Sequence, residues 1–471
     1  MWKRRSIGCW RPCWRLHVTN TSEVVMHTCP ECRKEQADLS RRTFLKRALG
    51  VAGATLMLNF FPSELLRRSA SAATNAGKTL VVVFQRGGND GLNTIVPYTD
   101  PRYYVVRPSA LIGAGNIGIP PPGGGDGAGI NLPGTGFAMH PAIQPFLDLY
   151  NNNALAIVTQ AGFAGSTQSH FTDQDIIERG LFQATDGWLN RYLQAVGSVG
   201  SPAIRAAGMG SDLADSLRGS VVVPALNDLT ALTFARLNSA KAPLESNLRN
   251  LYGQDPASTS TNSYSRLVHT LGPDMLSRVA SIEAIGPAAP QNGAVYPNTT
   301  YGRQLRDVAH IIRSGSGLEV ATVDIGGWDT HDDQGGGGGA TMAQGARLGE
   351  FSGGIRAFYN DLGPLMSNVV LLTCTEFGRT VYQNASGGTD HGKGSVWFVL
   401  GGGVKGGLYH GAAGFPSSLV DANLDSGRYI RPTVEFRDFF SDVLVKHFGL
   451  NATELGRVFP GHTHVPVGVF V

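Results

Sequence analysis

The sequence predicts an α/β fold in which a mostly parallel central sheet is flanked by helices on both faces. Three observations carry this expectation. The runs Thr79–Gln85, Ala154–Thr159, Leu318–Ile325, Asn368–Thr375 and Val396–Leu400 are continuously apolar and rich in β-branched residues, the pattern of strands buried on both faces. Segments with helical spacing of apolar residues lie between them. Most of the runs open into a polar, glycine-containing loop, and functional groups in such sheets gather just past the strand ends.

In chain order, Thr79–Gln85 leads into Arg86-Gly87-Gly88-Asn89-Asp90-Gly91. Residues 113–135 are dense in glycine and proline, which predicts a loop. Pro141–Asn151 reads as a helix before the second strand, and the polar stretch Gly162–Ser169 leads to an amphipathic segment, Phe171–Phe182. Gly187–Val196 is a further helix. Ser220–Leu226 reads as a strand that Pro224 confines to a sheet edge. Residues 237–300, rich in Ser, Asn, Ala and Pro, read as a helical cap or insertion. Tyr301–Ser314 places Leu305, Val308, Ile311 and Ile312 on one helix side, and the helices Thr341–Leu362 and Thr433–Phe448 complete the pattern.

Of 471 residues, 42% are hydrophobic and 16% charged, enough apolar material for a large core and too much for a disordered chain. The formal net charge of +3 is misleading about partners. Residues 1–72 hold 13 Lys and Arg against five acids, and without them 26 basic residues face 31 acidic ones, a net charge of −5. No basic and aromatic stripe follows, so nucleic acid is excluded as a partner.

The leader itself resembles a twin-arginine export signal. Ser40-Arg41-Arg42-Thr43-Phe44-Leu45-Lys46 precedes the apolar run Ala48–Phe61, and Ala70-Ser71-Ala72 fits a cleavage site. That run has 14 residues, whereas a helix crossing a bilayer needs about 20. The expected organisation is an extension over 1–39 (dispensable if the chain starts at Met26), a signal over 40–72 and one domain over 73–471. The protein is then periplasmic or extracellular, a client of the twin-arginine translocation machinery, with no stable transmembrane anchor after cleavage. Cys9, Cys13, Cys29 and Cys32 offer a small zinc knuckle as an alternative role for the extension. Only Cys374 lies beyond it, so the domain has no disulfide framework.

The loops at the strand ends carry Asp90, Asp329, His331 and Glu376, joined by Asp390 and His391 before the strand Val396–Leu400. Carboxylates and imidazoles in this proportion suit Zn²⁺ or Mn²⁺, with Mg²⁺ or Ca²⁺ as harder alternatives, one or two ions per chain. Taken singly, Asp90 also suits an Asx turn, Asp329 a helix cap, and Glu376 with Arg379 a surface ion pair.

The motifs FQRGGNDGLNTIVPY, SHFTDQD with GWLNRYL, GGWDTH, and TEFGRT followed by GTDHG resemble a sulfatase-like family known as domain of unknown function 1501. That family lies within the alkaline phosphatase superfamily, and the resemblance spans about residues 78–460. It implies an alkaline-phosphatase-like fold and metal-dependent cleavage of anionic esters, phosphate or sulfate. By the same resemblance Asp90 is a metal ligand, Ser169 the nucleophile at a helix N-terminus, Asp329, His331 and His391 one metal site, and Glu376 the acid of a second. Phe377 stands where the superfamily has histidine, so the second site lacks an imidazole unless His170 or Asp390 replaces it. Arg379, with Arg86, is expected to clamp anionic oxygens and Asn89 to hydrogen-bond the transferred group. No C/S-x-P-x-R motif for a formylglycine occurs, so Ser169 or an activated water must attack. The alternative is a non-catalytic exported protein that binds a metal or ligand on the same fold.

Overall fold

The computed structural model describes residues 77–471 apart from 109–114, 182, 198–203, 230–240, 254–271, 273–275, 278, 287 and 336–342. These residues fall within one compact unit, Leu56–Val471. The expected extension, cysteine knuckle and export signal lie outside the described residues, as does much of the expected cap. Among the described residues no helix is long and apolar enough to cross a membrane.

The described residues form twelve strands: β1 (Thr79–Arg86), β2 (Ile95–Val96), β3 (Ile130–Leu132), β4 (Phe137–Met139), β5 (Leu155–Gly162), β6 (Ala206–Met209), β7 (Ala225–Leu226), β8 (Val320–Gly326), β9 (Val369–Cys374), β10 (Ser395–Gly401), β11 (Gly407–Tyr409) and β12 (Val434–Glu435). The main sheet runs β11-β5-β10-β9-β1-β8-β6-β7, with β12 also on β5, and β2-β4-β3 form a small separate sheet. Every pairing in the main sheet is parallel except those of β10, which runs antiparallel to both β5 and β9. The fold is therefore α/β with a mostly parallel sheet, as the apolar runs predicted. The reversal of β10 brings its N-terminal end, rather than its C-terminal end, to the edge where β1, β8 and β9 finish.

The longer helices are α1 (His170–Arg179), α2 (Trp188–Val196), α3 (Lys241–Gly253), α4 (Thr300–Arg313), α5 (Ala343–Leu362), α6 (Phe436–Lys446) and α7 (Ala452–Val458). Both faces of the sheet are covered, and adjacent residues of β10 show it. Trp397 stacks on Phe440 of α6, while Phe398 meets Phe351 of α5 and Phe146 on the other side. Leu80, Val82 and Phe84 of β1 join a cluster with Trp188, Leu189 and Tyr192 of α2 and with the aromatic face of α6. Fully burying side chains of this size contributes about 1.5–3 kcal/mol each. Two straps then fix the C-terminal segment to α6: His462 to Asp438 at 2.8 Å and His464 to Asp442 at 2.6 Å.

Element boundaries depart from the sequence reading for local reasons. Pro145 turns the expected helix over 141–151 into a 3-10 segment, Pro141–Phe146, before a short α-turn. The expected strand over 220–226 shrinks to β7 after Pro224, which has no N–H to donate; β7 is the last strand of the sheet, the edge position foreseen. Strand β6 (Ala-Ala-Gly-Met) was not foreseen because it has no β-branched residue. Helix α1 stops at Gly180, whose left-handed φ of 68° forms its C-cap.

Two of the buried histidines are nearly sealed from solvent, His140 at 0% and His447 at 4% exposure. Burial drives both imidazoles down to about 4, against a nearby Asp90 for His140, and with Lys78 reinforcing it for His447. Above the unfolded value near 6.5 both states are neutral and nothing is lost. Below it the unfolded chain takes up protons that the folded chain refuses, so stability falls between about pH 6.5 and 4, by up to roughly 3 kcal/mol per histidine. His447 meets the Thr79 carbonyl through Nε2. His447→Gln, which keeps a donor there, is expected to flatten part of that acid slope in urea titrations across pH.

Candidate metal centre

Three imidazoles and one carboxylate meet where the ends of β8 and β9, the start of α1 and the loop before β10 converge. His331 Nε2 lies 2.9 Å from His391 Nε2 and 3.0 Å from Asp329 Oδ1. His391 Nε2 is 3.1 Å from the same oxygen, and His170 Nε2 is 3.3 Å from Asp329 Oδ2. His170, Asp329 and His391 each offer a ligand atom within 4.8 Å of the others. Ligand atoms about 2.0–2.1 Å from a tetrahedral zinc lie about 3.3 Å apart, so the three-residue group suits one small divalent ion, with His331 outside the group but touching two of its members.

What turns these rings into ligands lies behind them. His170 Nδ1 is 2.7 Å from Glu376 Oε1, His331 Nδ1 is 3.2 Å from Asp390 Oδ1, and His391 Nδ1 is 2.7 Å from the Gln168 carbonyl. An ionised carboxylate or a carbonyl only accepts, so each Nδ1 is the N–H donor, which leaves Nε2 as the atom each ring can offer to a metal. The Nε2 atoms of His331 and His391, 2.9 Å apart, need a proton or a cation between them. His170 Nε2 is buried and makes no hydrogen bond, although Asp329 is near, because the geometry is wrong for one. That buried nitrogen without a partner is what a metal ligand set looks like, and the residues present fit a metal.

Burial opposes ionisation of Asp329, but Arg379 at 2.6 Å, with His391 and His331, outweighs it and holds the carboxyl at about 2. Burial likewise opposes ionisation of Glu376, and hydrogen bonds from His170 and Gln174 keep it below its ordinary value. The hydrogen bond to Glu376 raises His170 despite burial, whereas burial and Arg379 lower His391.

Several residues expected at the centre have other work. Asp90 is 1% exposed, and its Oδ2 accepts from Arg107 Nη1 and Gln334 Nε2, both at 2.6 Å. It also caps the short turn at Asn93. Its charge is answered by Arg107, so it is an internal ion-pair partner and not a ligand. Glu376 is wholly buried and accepts from the Gly87 N–H, His170, Gln174 and Thr375. It orients His170 instead of forming a second metal site. Asp390 similarly stands behind His331, together with Asn384.

Neither expected anion clamp is free. Arg379 is 2% exposed and donates to the carbonyls of Gly87, Gly88, Trp328 and Thr389 and to Asp329. Arg86 is tied to Glu178 and Asp324. Asn89 is fully buried: its backbone N–H donates to Thr375 and its side-chain oxygen accepts from Thr94, while its amide Nδ2 makes no hydrogen bond.

Ser169 does sit at the N-terminus of α1, and its hydroxyl makes no capping bond there. The turn before it is held by Asp173, which accepts from Ser166, Thr167 and Gln168. Gln168 takes a left-handed φ of 63° that lets its carbonyl reach His391. His170 and Gln174 carried their signal in the sequence, within SHFTDQD, whereas Arg107 and Gln334 stand in segments with no motif. Close packing also sets His391: a Cβ on Gly392 would lie 2.4 Å from the Arg379 backbone.

Residues 245–458 match the family described as "Protein of unknown function (DUF1501)". The match covers less than half of the chain. It contains Asp329, His331 and His391 but not His170, so the centre is completed by a residue from outside the DUF1501 match. Among curated proteins nothing matches the sequence. Among solved structures, a sulfatase from Pseudoalteromonas sp. is similar at 10% identity and a TM-score of 0.33, over 81% of this chain and 69% of that one.

Second-layer contacts of this kind typically change metal affinity 10–100-fold. Glu376→Gln, which keeps the shape but weakens the hold on His170 Nδ1, is expected to lower affinity for Zn²⁺ by about that much, read by competition with a chromogenic chelator.

Proposed function

We propose that this protein is an exported, metal-dependent hydrolase of phosphate or sulfate esters working with a single metal ion. The observation that carries the reading is the set of three Nε2 atoms and one carboxylate, each imidazole anchored through Nδ1. His170, Asp329, His331 and His391 would hold the ion, and imidazole-rich ligation favours Zn²⁺ or Mn²⁺ over Mg²⁺ or Ca²⁺. When bound, the metal supplies Lewis acidity and lowers the pKa of a nearby hydroxyl or water.

The chain's own groups account for the rest. Ser169 is the proposed nucleophile, one residue from His170. The free N–H groups and dipole at the start of α1, where Ser169 stands, favour an anionic ester and an ionised hydroxyl. Arg379 is a positioning residue: by pinning Asp329 and four carbonyls it fixes where charge develops, without touching substrate. Export by the twin-arginine pathway to the periplasm or beyond completes the proposal, supported by the sequence of residues 40–72.

The test is a screen of 4-nitrophenyl phosphate and sulfate with Zn²⁺, Mn²⁺, Mg²⁺ and Ca²⁺, alongside metal analysis. Ser169→Ala is expected to lower kcat about 100-fold or more with metal content unchanged. Unchanged kcat in that variant moves the attack to water. Because Arg86 and Arg379 are already satisfied, a second reading has its own support: a metal-binding protein without turnover. Stoichiometric metal with no hydrolysis under any ion would establish it.

A further inference from the structure

The same edge of the sheet carries a second feature that the metal centre does not use. Between the ends of β6 and β8 and the starts of α4 and α5 lies a crevice of about 640 Å³, within the range of small-molecule sites. Its floor includes Gly326, where an added Cβ would meet open space. Three residues further on is Asp329, so crevice and centre are within about 10 Å along the chain.

The charges of the crevice are largely cancelled inside the protein. Arg347 pairs with Glu350 at 2.7 Å and Asp324 with Arg86 at 3.1 Å, so neither a strong anion nor a strong cation finds an unanswered counter-charge in them. What is left to meet a ligand is chiefly amide, Asn227 and Gln304, beside the hydroxyls of Ser211, which donates to Asp212, and Thr300, which accepts from Arg303. Gln304 decides the matter. It is 6% exposed and its amide has no hydrogen-bond partner among the described residues, so a donor and an acceptor, nearly buried, open on the crevice. Such a group calls for a ligand that can donate and accept at once.

We propose that this crevice binds a neutral, polyhydroxylated ring, a saccharide. Adjacent hydroxyls of a sugar each donate and accept, matching the paired amides and hydroxyls here, and a binding site built this way rejects analogues lacking those groups. Its role as the subsite for the alcohol part of the ester rests on the hydrolase reading; the site itself does not.

The experiment uses the full chain, metal-loaded and metal-stripped, with saturation-transfer NMR and calorimetry. The probes are glucose, galactose and cellobiose, with inorganic sulfate and spermidine as charged controls. Saccharide binding is expected in both metal states, weakened about tenfold or more by Gln304→Leu and by Asn227→Ala, with metal content unchanged. Absence of binding by every saccharide, binding untouched by both variants, or a crevice-dependent preference for sulfate or spermidine would overturn the assignment. Turnover of 4-nitrophenyl esters is followed separately. Saccharide binding without turnover refutes the hydrolase and leaves the crevice standing, and turnover without saccharide binding does the reverse.

Discussion

Replacing His391 by alanine is expected to weaken divalent-metal binding by more than about 100-fold and to abolish any metal-dependent hydrolysis. The ring supplies Nε2 at 2.9 Å from His331 and 3.1 Å from Asp329, and it is held from behind by the Gln168 carbonyl. No other described imidazole is placed to take over. Metal analysis after dialysis reads the loss directly, and His391→Gln, which has an amide but no imidazole lone pair, is expected to behave alike. Retention of metal by both variants would remove the centre. The fold is expected to survive, because His391 lies in a loop and none of the main clusters depends on it.

The largest effect on stability is expected at Arg107→Ala. Its guanidinium is fully buried and donates to Asp90 at 2.6 Å, to Asn93 at 2.6 Å and to the carbonyls of Thr380 and Val381. Truncation leaves the Asp90 carboxylate buried with its charge unanswered, a loss of about 3–5 kcal/mol. Urea unfolding of single and double variants checks the cause. Asp90→Asn combined with Arg107→Met is expected to be milder than Arg107→Ala alone, since the orphan charge is gone. Arg107→Lys should recover only part, because a point charge does not reproduce four directed N–H bonds.

The contrast between Arg107 and His391 shows how far the sequence could be read. Strand-end position correctly gathered Asp329, His331, Glu376, Asp390 and His391 at one edge of the sheet, because an apolar run ending in a polar loop fixes the edge. It does not report depth. Asp90, Asn89, Glu376 and Arg379 all sit below the surface, and whether a buried carboxylate awaits a metal depends on whether an internal cation reaches it. Arg107 and Gln334 come from segments with neither strand pattern nor motif, so their partnership with Asp90 was invisible. His170 was weighed only as a substitute, yet it is the residue whose buried nitrogen is left without a partner. In the sheet, valine-rich β1 was unmistakable, whereas β6, made of alanine, glycine and methionine, is a strand only because β8 and β7 offer it ladders.

The placement of β1 has a consequence for how the protein acquires its ion. Its central position depends on ladders to β8 and β9, both drawn from the far end of the chain, with Leu80 facing Val320 on one side and Val370 on the other. Pairings of such long range close late and make folding slow. The ligands His170, Asp329, His331 and His391 come from three separate segments joined only by that sheet, so an unfolded chain presents no chelating run. If the proposed export and metal binding hold, capture of the ion is the last step of maturation, and the cation most available where the chain folds fills the centre.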